Sequence, residues 1–331
     1  MSNSLATVYI HPSQFPDRVY QNYLDGFSEL EIDNRFHYDS VKQSQKWLKI
    51  HATYSPARVN QDCIQVYDRC FAETANRLEK DSQIQLIALG CGGGQKDSRL
   101  LSHLLNLEKE ITCYPVDVSL SLALISAQAM KKVDSQVSVQ PIVCNLLAAD
   151  DLIEIIESKA TGQRKVITFF GMIPNFYPDR ILPILSHFIK AGDFLLFSAN
   201  LAPGTDYLQG IQQILPQYDN ELTQDWLMTI LTDAGVEVDQ GRLSVQIEPD
   251  ETQPELSRIA FYFEVEREVS LKLDNRQVRW SPGSRVRLFF SYRYTTAKIQ
   301  KILSLYNLKV LEFWEDQTQQ EGVYLCCKAA K

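Results

Sequence analysis

The feature that most constrains this chain is the apolar run Ile84-Gln85-Leu86-Ile87-Ala88-Leu89. It ends in Gly90-Cys91-Gly92-Gly93-Gly94 and leads into a helix-like stretch through Arg99 to Leu105. A strand, a glycine turn and a helix open a nucleotide-binding α/β unit. The alternation then continues. Thr112 to Val116 reads as a strand ending at Asp117, and helical spacing follows through Ala123, Ala127 and Met130. Val137 to Val143 reads as a third strand ending at Asn145, followed by a helix over 151–158. Val166 to Phe170 is a fourth strand, 180–190 a helix, and Asp193 to Ser198 a fifth strand. A helix from near Asn60 to Leu78 precedes the series, with Ile64, Tyr67, Phe71 and Ala75 at helical spacing. Strands alternating with helices predict a parallel sheet covered on both faces, hence an α/β fold.

The pattern changes after residue 200. Residues 201–235 read as helical, whereas 242–248, 258–269 and 271–280 alternate apolar and polar as hairpin strands do. Pro282-Gly283 marks a turn, and 285–294, a helix over 295–307 and strands over 308–314 and 322–328 close the chain. Residues 1–60 read as irregular and helical.

Composition excludes several classes. The 331 residues carry 33 Lys+Arg against 41 Asp+Glu, a formal net charge of -8. That balance argues against a general nucleic-acid binder, which presents a basic face. No run approaches the roughly 18 apolar residues of a membrane span, and the N-terminus lacks the pattern of a signal peptide. Seven cysteines without a Cys-x-x-Cys pair read as structural thiols of a reducing cytoplasm. The five histidines, His11, His37, His51, His103 and His187, show no ligand spacing, so no metal is expected.

Four places carry candidate chemistry. Gly90-x-Gly92-x-Gly94 is tighter than the dinucleotide Gly-x-Gly-x-x-Gly, and it suits a backbone that bends sharply against a ligand. A dinucleotide lays its pyrophosphate on the helix N-terminus. S-adenosyl-L-methionine has a carboxylate instead, which Lys96 could meet at the helix start. Asp117 either accepts from ribose hydroxyls or caps the following helix. Asn145, with Leu146, either contacts adenine or serves the turn. Phe170-Gly171-Met172-Ile173-Pro174-Asn175-Phe176 lies at the carboxyl end of a central strand, where open sheets bind ligands. Its order does not match the Asn-Pro-Pro-Tyr box of nucleic-acid amino methyltransferases.

The chain resembles the histidine-specific Nα-methyltransferases of the ergothioneine pathway and their relatives acting on tryptophan-type amines, from about residue 34 to the end. Phe36-His37-Tyr38-Asp39 resembles that family's aromatic-Tyr-Asp segment, and Tyr54-Ser55-Pro56-Ala57-Arg58 its Tyr-Tyr-Pro-Thr-Arg. Leu89-Gly90-Cys91-Gly92 through Lys96, Pro115-Val116-Asp117-Val118-Ser119 and Phe170-Gly171 through Asn175 resemble its cofactor and substrate motifs. Tyr218-Asp219 is similar to a Tyr-Asp pair of its inserted domain, and Phe289 to Tyr294 aligns with its Glu-x-Ser-x-Lys-aromatic segment.

The resemblance implies a class I Rossmann-like S-adenosyl-L-methionine-dependent methyltransferase with an inserted α+β substrate-capping domain. The expected spans are 61–200 and 292–331 for the methyltransferase domain, 201–291 for the insert, and 1–60 for a segment contributing to the cap. It implies no metal. Gly90, Gly92, Lys96 and Asp117 would bind cofactor, with Asn145 and Leu146 near adenine. Tyr54, Asn175 and Tyr218 would hold the amino-acid end, and Tyr38 would sit beside the amine as the catalytic residue. The family's imidazole-gripping glutamate falls on Phe289, and only Ser291 of that pair survives. Losing a charge-assisted hydrogen bond costs about 1.5–3 kcal/mol, so histidine is not the expected best substrate. Phe261 stands where the family has a smaller or more flexible apolar residue.

The expectation is therefore N-methylation of a free amino acid or related small amine with an apolar or aromatic side chain, by a cytoplasmic, monomeric enzyme without nucleic-acid or membrane partners. The alternatives are a silent binder of the same fold and, less favoured by the glycine spacing, a nicotinamide-dependent oxidoreductase.

Overall fold

A computed structural model describes residues 6–78, 83–108, 110–159 and 163–329. The outermost ends of the expected spans, 1–5 and 330–331, lie outside the described residues. The strands in chain order are β1 (Tyr9–Ile10), β2 (Ile84–Leu89), β3 (Ile111–Asp117), β4 (Ser138–Val139), β5 (Ile142–Val143), β6 (Arg164–Phe170) and β7 (Phe194–Asn200). Then follow β8 (Gly241–Pro249), β9 (Ser257–Val265), β10 (Val269–Leu273), β11 (Arg276–Trp280), β12 (Arg285–Arg293), β13 (Leu308–Glu315) and β14 (Glu321–Lys328).

The main sheet has the order β1-β5-β3-β2-β6-β7-β14-β13, with β4 paired to β3. β2 is buried along its whole length and pairs in parallel with β3 on one side and β6 on the other. A strand buried on both faces needs apolar residues throughout, which is why its run does not alternate. β14 enters antiparallel between β7 and β13. This is a Rossmann-like sheet, mostly parallel, with one antiparallel strand inserted near its end. The strand order reverses at β2, so a crevice opens at the carboxyl ends of β2, β3 and β6. The helix Gln61–Arg77 matches the expected one, and the Asn60 side chain caps it by accepting from the Asp62 and Cys63 amides at 2.9 and 3.4 Å.

A second, three-stranded antiparallel sheet, β12-β9-β8, and the hairpin β10-β11 pack with the helices Tyr207–Ile214 and Glu221–Asp233. Leu24, Phe27, Ile32 and Phe36 share one apolar core with Trp226, Phe261 and Phe289, so the N-terminal segment and the inserted elements pack as one body. The expected boundary at 291/292 falls inside β12, which runs on to Arg293.

Three expectations need correction. The third strand is two short pieces, because Pro141 between them has no amide to donate. The 271–280 stretch is a hairpin, turning at Asp274 in the left-handed region (φ 52°). The preceding run stops at Val265 rather than 269. The N-terminal segment also contributes β1, which pairs in parallel with β5 at the sheet edge.

All seven cysteines are free thiols, and only Cys327 is not fully buried. Burial pushes the Cys63 and Cys113 thiols up to about 12.

Candidate active site

The glycine turn lies at the mouth of the crevice. Gly90 and Gly92 adopt φ of 63° and 51°, the left-handed region that disfavours side chains. A Cβ on Gly92 would stand 2.7 Å from the Trp47 indole, and one on Gly90 would stand 2.5 Å from the Met172 sulfur. The turn is therefore pinched between the helix Val41–Tyr54 and the loop after β6.

Asp117 ends β3 and organises this turn. Its Oδ2 accepts from the Gly92 amide at 3.0 Å, and its Oδ1 accepts from the Ser119 amide at 3.0 Å. Burial raises its carboxyl to about 6, against the lowering effect of those amides. The capping role went to Ser119, whose hydroxyl accepts from the Leu122 amide at 3.4 Å. Asp117 thus sits buried at the crevice, held by backbone amides.

Lys96 stands in the first turn of the helix Gln95–Leu105. Its Nζ donates to the Tyr67 hydroxyl at 2.6 Å and lies 3.6 Å from Glu321 Oε1. The Tyr67 hydroxyl donates in turn to Glu321. Glu321 is buried, and a buried carboxylate needs a cation nearby. The Asn145 side chain accepts from the Leu147 amide at 3.1 Å, the turn role left open above. The Leu146 side chain is buried in the main core, so only its backbone is available to a ligand.

A cavity of about 670 Å³ is lined by Val118, the residue that follows Asp117. Val143 lines it from β5, Val118 and Leu120 from the turn and helix start that follow β3, and Gln14, Phe36 and Asp39 from the N-terminal segment. Gln14 donates to the Val118 carbonyl at 2.8 Å, and its own Oε1 is buried without a hydrogen-bond partner among the described residues. Sequence reasoning missed Gln14, and no local pattern marks it.

A chain of rings links the glycine turn to the inserted elements. Trp47, standing on Gly92, meets Tyr38 edge-on at 5.8 Å between centroids. Tyr38 meets Trp226 at 5.4 Å, Trp226 meets Phe289 at 5.4 Å, Phe289 meets Phe261 at 6.3 Å, and Phe261 meets Tyr218 at 5.9 Å. The Trp226 indole N–H donates to the His37 carbonyl at 2.7 Å. His37 packs on Phe289 at 6.1 Å, and its Nε2 bonds the Leu288 carbonyl at 2.7 Å. Burial lowers its imidazole to about 4, so the ring is neutral. Trp226 and His37 were not among the sequence candidates.

Tyr38 is half-buried, and among the described residues its hydroxyl has no hydrogen-bond partner. Burial first and the Asp117 charge second hold the phenol well above its ordinary range, so it keeps its proton. Asn175 ends the short turn after β6. Asn34 donates to its carbonyl and to that of Phe290, both at 3.1 Å, tying this loop to β12. Ser291 is buried on β12, and Tyr218 accepts from Arg293. Tyr54 is the one expected residue set apart: it is exposed at the end of its helix, with no side-chain hydrogen bond among the described residues. No group of three His, Cys, Asp or Glu side chains converges among the described residues, and no helix there is long and apolar enough to cross a membrane.

Residues 21–328 match the family described as histidine-specific, SAM-dependent methyltransferase. The N-methyltransferase imqF of Aspergillus flavus is 24% identical over 279 residues, 82% of this chain and 73% of that protein. Among solved structures, the magnesium protoporphyrin IX methyltransferase of Synechocystis PCC 6803 with bound SAH aligns at TM-score 0.47 and 13% identity, covering 89% of this chain and 98% of that one. A SAM-dependent methyltransferase of Methanosarcina mazei aligns at 0.42 and 11%, covering 78% and 98%.

Proposed function

The chain belongs to the histidine-specific, S-adenosylmethionine-dependent methyltransferase family, and from that premise we propose that it N-methylates a free amino acid or related small amine whose side chain is apolar or aromatic. The observation that carries the side-chain reading is Phe289. It is 7% exposed and packed among Phe261, Trp226 and His37, where the family resemblance puts an acid. Among these rings a cationic or strongly polar side chain would lose its hydration without a charged partner. The 24%-identical relative bears the name of an N-methyltransferase, which supports nitrogen as the acceptor.

The residues at the crevice fit the cofactor. The buried Asp117 carboxylate suits a ribose diol, the glycine turn suits a closely approaching chain, and the adjacent cavity has the volume of a small-molecule site. The orphan Gln14 Oε1 can accept from an exocyclic amine, a task the capping Asn145 oxygen already shares with Leu147. Bound S-adenosylmethionine supplies a sulfonium methyl group open to in-line attack by a neutral amine. What the protein contributes is alignment and exclusion of water. Tyr38 orients the amine through its protonated hydroxyl, since a phenol held above its ordinary range is no base at neutral pH. Asn175 and Tyr218 hold the amino-acid end. Residues 1–60 and 201–291 act together as the cap, as their shared core supports.

The test is incubation with methyl-labelled S-adenosylmethionine and a panel of amino acids and amines, with products read by mass spectrometry. Labelled aromatic or aliphatic products, with histidine at least tenfold poorer, are expected. Efficient methylation of histidine would refute the role given to Phe289. Cofactor binding without any product would favour the silent binder.

A further inference from the structure

Arg258 and Arg293 are the buried arginines among the described residues, 8% and 5% exposed. They are treated differently by their surroundings. Arg258 has Glu248 at 2.6 Å. Arg293 forms no ion pair among the described residues. Its guanidinium donates to the Leu201 carbonyl at 3.3 Å and to the Tyr218 hydroxyl, lies 5.2 Å from the Tyr218 ring centroid, and leaves its Nε buried without a hydrogen-bond partner among the described residues. A buried cation with only neutral acceptors carries an uncompensated desolvation cost. An anion brought to this place would remove it.

The position of Arg293 says which anion. Phe289, Ser291 and Arg293 alternate along β12 with Phe290, Tyr292 and, just past the strand, Tyr294. The latter three lie in the core of the main sheet, and Phe289 in the core of the cap. Arg293 therefore shares a strand face with the ring that floors the side-chain end of the site. Tyr218 joins the two, because it packs on Phe261 and accepts from Arg293. Since its oxygen accepts from the guanidinium, its own O–H is free to donate elsewhere.

We propose that Arg293 is a specificity-determining residue that selects substrates bearing an α-carboxylate, acting through Tyr218, so that the acceptor is an amino acid rather than its decarboxylated amine. This rests on the methyltransferase reading above and narrows it. The guanidinium stands behind the phenol, supplies the positive charge and polarises the O–H that donates to the carboxylate. Arg293 is a positioning residue, whereas Tyr218 makes the contact.

The experiment uses matched pairs: phenylalanine with phenethylamine, tyrosine with tyramine, tryptophan with tryptamine and leucine with isoamylamine. Turnover and calorimetric binding to the protein saturated with S-adenosylhomocysteine are measured for the wild type, R293Q, R293K and Y218F. The wild type should favour the carboxylated member of its best pair by about tenfold or more. R293Q and Y218F should raise KM and Kd for that member by about tenfold, equivalent to about 1.4 kcal/mol, and change the amine by less than about threefold. R293K should retain part of the preference. Affinity for S-adenosylhomocysteine should be unchanged throughout. If R293Q does not fold, Y218F and R293K decide the matter. A wild type that binds the amine as well as the amino acid, equal losses for both members, or no binding of either member of any pair would overturn the proposal. Carboxylate-selective binding without turnover would uphold it and instead refute the catalytic reading.

Discussion

Replacing Asp117 with asparagine separates the two demands that meet at this residue. Burial raises the carboxyl from its ordinary 3.8 to about 6. At about 1.36 kcal/mol for each tenfold change in acidity, that disfavours the ionised folded state by about 3 kcal/mol at neutral pH. The sign follows from the direction. The folded protein holds this proton to higher pH than the unfolded chain, so the contribution favours folding below 3.8 and is lost as pH rises through about 6. Asparagine removes that penalty. It also turns one of two acceptors, each receiving an amide at 3.0 Å from Gly92 or Ser119, into a donor. Losing one hydrogen bond to a charged acceptor costs about 1.5–3 kcal/mol. The two terms nearly cancel, so D117N should match the wild type within about 1.5 kcal/mol in urea unfolding at pH 7.5. The wild type should gain about 1 kcal/mol on D117N between pH 7 and pH 5. Cofactor affinity has no such compensation. Calorimetric titration with S-adenosylhomocysteine should show a loss of about tenfold to a hundredfold, the same 1.5–3 kcal/mol now missing at the ribose diol. Unchanged affinity would refute the cofactor role of Asp117. Destabilisation well beyond 3 kcal/mol would refute the balance argued for its burial.

Three further substitutions probe other parts of the site. G92A places a Cβ 2.7 Å from Trp47 at a φ of 51°; it should cost about 1–2 kcal/mol in backbone strain alone and weaken S-adenosylhomocysteine binding, as denaturation and calorimetry would show. Y38F should lower turnover by about tenfold, one oriented hydrogen bond's worth, while leaving S-adenosylhomocysteine affinity within about twofold; unchanged turnover would remove Tyr38 from the mechanism. W226F leaves the buried His37 carbonyl without its donor, which should destabilise the protein by about 1–3 kcal/mol, measured as a shift in the urea midpoint.

The layered α/β architecture and the place of the crevice are legible in the amino-acid sequence. Both are written in local signals: the unbroken apolar run of β2, the glycines that alone reach positive φ cheaply, and the alternation of strand and helix. Such signals survive because they depend on residues a few positions apart. Their limits are equally local. The 271–280 run alternates correctly, yet Asp274-Asn275 turns it into a hairpin, and Pro141 breaks a strand whose apolar pattern runs on. The packing around the site was decided only in three dimensions. Gln14 reaches Val118 across 104 positions, Trp226 reaches His37 across 189, and Tyr67 reaches Glu321 across 254. No periodicity records such pairs. Lys96 shows the consequence. From its place at the helix start it reads as a ligand for an incoming carboxylate, and the fold adds a neighbour that the reading did not contain, Glu321 from the far end of the chain. Arg293 is the reverse case: an ordinary strand arginine in the sequence, it is left by the fold buried beside a phenol and a carbonyl, with no carboxylate among the described residues to neutralise it. Which charges are matched and which are left open depends on what burial brings together, and burial belongs to the tertiary structure.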